Sequence, residues 1–134
     1  MSKQIGFLRQ FRTQLIFEEI MINSVERNMN KDIPDILIRA QELQKAGDYT
    51  YSCKLYKQFW ENNDVHPLRF KALFEVADNY YHAGDYRLAI QGYQEFLDYC
   101  SSQLDTTAEE RGWIDAYTKL AHSRLTTIGE CNHV

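Results

Sequence analysis

Ala46-Gly47-Asp48-Tyr49 returns unchanged as Ala83-Gly84-Asp85-Tyr86, 37 residues further along the chain. The apolar residues around the two copies follow a shared pattern, so the repetition extends beyond the four letters. A period of roughly 20 to 50 residues marks a repeat architecture, in which each unit stacks on a neighbour to bury its apolar face. Glycine accepts the positive φ with which a helix closes, so each copy predicts a tight turn between two helices. The chain is expected to be all-α.

Working outward from Gly47, the first unit spans about residues 34–63. Asp32 is placed as an N-cap with Pro34 in the first helical turn, where its missing N–H costs nothing. Ile36, Leu37, Ala40 and Leu43 follow at helical spacing. After the turn Tyr49 re-enters, and Ser52, Cys53, Tyr56, Phe59 and Trp60 make the inner stripe of the return helix. The second unit spans about 67–100, with Pro67 where a helix would begin. Leu73, Val76, Ala77, Tyr80 and Tyr81 form its first stripe, and Ala89, Ile90, Tyr93, Phe96 and Leu97 its second. Turns this short force each pair into an antiparallel hairpin.

A polar loop is expected from Ser101 to Thr106. Thr107-Ala108-Glu109-Glu110 fits a capping box, opening a helix over about 107–128 through Trp113, Tyr117, Leu120, Ala121 and Leu125. Gly129 should end it and leave 130–134 as a frayed tail. Ahead of the repeats, residues 1–30 read as an amphipathic helix. Leu8, Phe11, Leu15, Ile22, Val25 and Met29 share one stripe, while Ile5, Ile16, Phe17 and Ile20 fall off it. Around Leu15–Ile22 most of the circumference is apolar, and such a helix wants burial on two sides.

The bulk numbers set limits on function. A length of 134 residues and 44% apolar content suit one domain with a sizeable core. A net charge of −4 argues against general nucleic-acid binding. Residues 1–17 are basic, with Lys3, Arg9 and Arg12 and no acid, but Arg9 and Arg12 interrupt any signal-peptide core. No 18-residue apolar run exists, so no membrane partner is expected. Cys53, Cys100 and Cys131 give an odd count without metal or disulfide spacing, which points to a reducing, cytoplasmic setting.

Ala77 and Ala89 as small residues, with Tyr80, Tyr86 and Tyr93 as large ones around the Gly84-Asp85 turn, resemble the tetratricopeptide repeat. The first unit is a looser match through Ala40 and Ser52, with Leu43, Tyr49 and Tyr56. The resemblance covers Pro34–Cys100 and departs at Phe59 and Phe96, where the family prefers alanine, and at the displaced Pro67. It implies a right-handed superhelix of two hairpins, a C-terminal capping helix and a concave groove that binds a partner segment. In the first unit the groove would be lined by Leu37, Gln41, Gln44 and Lys45. In the second it would be lined by Lys71, Phe74, Asp78, Tyr81 and His82. Glu75 and Asp78 would repel an acidic tail, so an apolar or mildly basic peptide is expected. Two units alone hardly offset the ordering cost of the chain, so the flanking helices should be integral to the fold.

An N-terminal helical region ahead of such repeats, in an acidic chain of this length, is also similar in architecture to the cytoplasmic chaperones of bacterial type III secretion translocators. The functional expectation is a non-enzymatic adaptor or chaperone. The alternative is a regulatory or structural homodimer assembled through Phe11, Leu15, Phe17, Ile20 and Ile22. No phosphate loop, dinucleotide fingerprint, HExxH or nucleophile elbow is present, and His66, His82, His122 and His133 are scattered. Cys131 and His133 offer two metal ligands where a structural zinc needs four, so no catalytic residue, cofactor or metal is expected.

Overall fold

Both copies of the turn close in the same way. A computed structural model describes residues 33–103 and 106–131, which lie in one compact unit, Ile33–Val134. Its helices are α1 (Asp35–Lys45), α2 (Tyr49–Asn62), α3 (Arg69–His82), α4 (Tyr86–Ser102) and α5 (Ala108–Cys131). The described residues contain no strand.

At the first turn Gly47 has φ +87° and at the second Gly84 has φ +84°. The Asp48 amide reaches back to the Leu43 carbonyl at 2.9 Å and the Gly47 amide to Gln44 at 3.1 Å. Asp85 to Tyr80 and Gly84 to Tyr81 repeat these bonds at 2.9 and 3.1 Å. This is the Schellman closure, which satisfies the carbonyls left over at a helix end. The aspartates then open the next helix. Asp48 Oδ1 accepts from the Tyr51 amide at 3.2 Å, and Asp85 Oδ1 from Leu88 at 3.3 Å. One tetrapeptide thus ends one helix and caps another.

Successive helices pack pairwise, and α3 lies against α2, α4 and α5. It is accordingly the most buried element: nine of its 14 residues are inside. Phe74 is 1% exposed, with Phe96 and Tyr117 edge-on at 5.4 and 5.1 Å and Tyr93 at 5.8 Å. Aromatic pairs at such spacing add to what burial alone contributes. Gly92 of α4 lets the backbones approach: a Cβ there would stand 2.8 Å from Ala77 Cβ and 3.1 Å from its Cα.

Several local expectations need correcting. Pro34 is the N-cap of α1, with ψ 145°, rather than a residue of its first turn. Asp32, its expected cap, lies outside the described residues. Pro67 precedes α3 by two residues, and Leu68 holds the N-cap position. The buried stripe of α3 differs from the expected one: Leu73, Tyr80 and Tyr81 are only half-buried, while Phe70, Ala72 and Phe74 are core alongside Val76 and Ala77. α4 continues through Ser102, so the expected loop begins later. Thr107 does cap α5, its hydroxyl accepting from the Glu110 amide at 3.1 Å. Gly129 does not stop that helix, which reaches Cys131. A glycine inside a helix costs only about 1 kcal/mol, so without the positive φ of Gly47 and Gly84 it need not terminate one.

Candidate functional site

The family resemblance implies a lining along α1 and α3, and these helices do carry a continuous polar seam. Gln44 Nε2 on α1 donates to Glu75 Oε2 on α3 at 2.7 Å. Lys71, one turn before Glu75, stands 3.7 Å from its other oxygen and donates to the Tyr117 hydroxyl of α5 at 3.4 Å. Asp78, 5% exposed, is the hub of the next turn. It accepts from the Tyr93 hydroxyl of α4, from Arg124 Nε of α5 at 3.0 Å, and lies 3.1 Å from His82 Nε2.

Burial on its own would raise the Asp78 pKa. The hydrogen bond from His82, the charges of Arg124 and His82 and the Tyr93 hydroxyl outweigh it and hold the carboxyl below the ordinary range. Tyr93 is pushed up, first by burial and then by the Asp78 charge, so it remains a donor. A buried carboxylate needs such partners, because losing the Arg124 cation leaves its charge uncompensated in a low-dielectric setting.

The expected lining residues therefore separate into two groups. Leu37 and Phe74 are core, at 2% and 1% exposure, and cannot present a side chain to a ligand. Lys71 and Asp78 are buried and tied to neighbouring helices. Gln41, Gln44 and Tyr81 are half-buried, and Lys45 and His82 are exposed. Tyr81 lies under the Arg124 guanidinium at 4.8 Å from its ring centroid, and His82 stacks on Tyr49 at 5.8 Å. Glu75 and Asp78 were expected to repel an acidic tail. Their charges are met internally by Lys71 and Arg124, so they do not set the charge of a partner.

Sequence reasoning missed Arg124. The available signal was its position seven residues after Tyr117, which puts both side chains on one face of α5. Phe11, Leu15, Phe17, Ile20 and Ile22, the expected dimer helix, lie outside the described residues.

A second polar seam ties α1, α2 and α3. The buried Ser52 hydroxyl donates to the Ala40 carbonyl at 2.7 Å and accepts from Asn79 Nδ2 at 3.1 Å. Between the hairpins, the Arg69 guanidinium lies 3.6 Å from the Trp60 ring centroid, and its Nε donates to the Trp60 carbonyl at 3.2 Å. Cys53 and Cys100 are buried. Burial raises both thiols, Cys100 to about 11, so neither is a ready nucleophile. Among the described residues no three His, Cys, Asp or Glu side chains gather as a metal site would need, and no helix is long and apolar enough to cross a membrane.

No protein-family model matches the chain, and no curated protein or solved structure does.

Proposed function

We propose that Ile33–Cys131 is a tetratricopeptide-type array whose α1–α3–α5 face holds a segment of a partner protein, making the chain a non-enzymatic adaptor or chaperone. The observation that carries this reading is the identical Schellman turn at Gly47 and Gly84. It closes two successive hairpins in one geometry, which is what an array of one repeated unit requires. Gln44 to Glu75 bridges α1 and α3, and Arg124 to Asp78 bridges α5 and α3.

Within that face the contact surface narrows to Gln41, Gln44, Lys45, Tyr81 and His82, the expected residues that retain exposure. Amide, aromatic and imidazole groups suit a peptide read by hydrogen bonds and stacking rather than by bulk charge. Affinity capture from a native lysate should therefore compare wild type with a Lys45→Glu/Tyr81→Ala variant whose circular dichroism is unchanged. Loss of the captured protein supports the proposal. Equal capture by both overturns it.

A further inference from the structure

The imidazole of His82, on the face proposed to hold a partner, is oriented by three neighbours. Its Nε2 lies 3.1 Å from Asp78 Oδ2, one turn back on α3. Tyr49 of α2 stacks along the ring at 5.8 Å and 25°, and Tyr81 meets it edge-on at 5.3 Å and 75°. The ion pair is lopsided in burial: the Asp78 side chain is 8% exposed and that of His82 is 36% exposed. Fixing an exposed side chain costs rotamer entropy, and a ring already fixed has less left to lose when a partner arrives.

Asp78 dictates which ring nitrogen carries the proton. Its Oδ1 already accepts from the Tyr93 hydroxyl and from Arg124 Nε at 3.0 Å, while Oδ2 faces the ring. With the Arg124 cation beside it, the carboxyl stays ionised and can only accept. Nε2 must therefore be the donor. In a neutral imidazole the other nitrogen is then a bare acceptor, and no hydrogen bond among the described residues takes His82 Nδ1.

We propose that His82 reads the partner segment through Nδ1, accepting one N–H or O–H of that segment, with Asp78 as the residue that positions the ring and sets its tautomer. The inference rests on the α1–α3–α5 face being the partner site, and it gives that site a polarity. At this point the partner presents a donor, because a carbonyl or carboxylate would set lone pair against lone pair.

Asp78→Asn reverses the arrangement. The amide oxygen takes the place of Oδ1 before Tyr93 and Arg124, so the amide NH₂ faces Nε2, which becomes an acceptor and leaves the proton on Nδ1. Long-range ¹H–¹⁵N correlation spectra of the full-length protein are recorded at about pH 8.5, above the ordinary imidazole pKa. They should show His82 protonated at Nε2 in wild type and at Nδ1 in the variant. Capture from the native lysate at the same pH should need roughly 5-fold more Asp78→Asn bait than wild-type bait for equal yield, the effect of one hydrogen bond. His82→Phe keeps a ring to stack on Tyr49 and has no nitrogen; it should lose capture by a similar factor, and it serves where Asp78→Asn does not fold. Protonation at Nδ1 in wild type, or capture by both variants equal to wild type, overturns this inference alone and leaves the partner reading to the Lys45→Glu/Tyr81→Ala comparison. No capture by wild type overturns both.

Discussion

The two hairpins share a turn, atom for atom, yet their first helices have different fates. α1 buries only Leu37 and Ala40 of its 11 residues, while α3 buries nine of 14, four of them polar or charged. Both helices end in the same Schellman closure and feed the same aspartate cap. The difference comes from position: α3 has α2, α4 and α5 around it. A repeated sequence therefore sets local geometry twice, whereas the energetic weight of each copy depends on what surrounds it. That separation is open to direct attack.

The largest effect should come from the core on either side of the comparison. Phe74→Ala is expected to cost about 3–5 kcal/mol and Leu37→Ala nearer the low end of about 2–5, read by urea denaturation. Equal losses would mean that α3 is no more central than α1.

Next comes the buried ion pair that only the second hairpin has. Arg124→Met should cost about 3 kcal/mol by leaving Asp78 uncompensated, at the low end because Arg124 keeps some solvent contact, its side chain 19% exposed. The same carboxylate has a pH signature. Its folded pKa lies below its unfolded value, so its contribution is complete above the ordinary carboxylate pKa of about 4 and is lost as pH falls through the folded value. Thermal melts from pH 5 to pH 2 should therefore show a steeper decline for wild type than for Asp78→Asn. Parallel curves would remove Asp78 from its assigned role.

Packing distance sharpens the contrast further. Gly92 meets Ala77 where the equivalent position of the first hairpin carries Leu55. Placing that leucine in the second hairpin, Gly92→Leu, should overpack it by about 1–3 kcal/mol, a loss that an unaltered melting curve would refute. The smallest effects belong to the feature the hairpins share. Gly47→Ala and Gly84→Ala should each cost about 1–2 kcal/mol and agree with one another, since a Cβ meets nothing within 4 Å at either site and only the positive φ is strained. Clearly unequal costs would mean the turns are not equivalent.

What could be read from the chain follows the same division. The turns, the helices they join and the Thr107 cap depend on residues within a few positions of one another, and all were legible. The role of Phe74 was not. Its place on a face that family likeness assigns to ligand hides the fact that Phe96 and Tyr117 close over it from distant segments. Lys71, Glu75 and Asp78 read as a solvated or lining face because their partners, Gln44, Tyr93, Tyr117 and Arg124, are remote in sequence. Asn79, whose buried amide donates to Ser52 across the α1–α2–α3 seam, gave no sequence signal. An asparagine in mid-helix looks the same whether or not its amide is met.

The proposed role as a holder of another polypeptide rests on the shared α1–α3–α5 face, and site-specific photocrosslinking addresses that face most directly. A benzophenone side chain would be placed at His82 on this face and, as a control, at the exposed Gln94 of α4, each in full-length protein within its native lysate. The account expects a discrete heavier adduct from position 82 and none from position 94. Adducts of equal yield from both positions, or none from 82 while wild type still captures a partner, would contradict it.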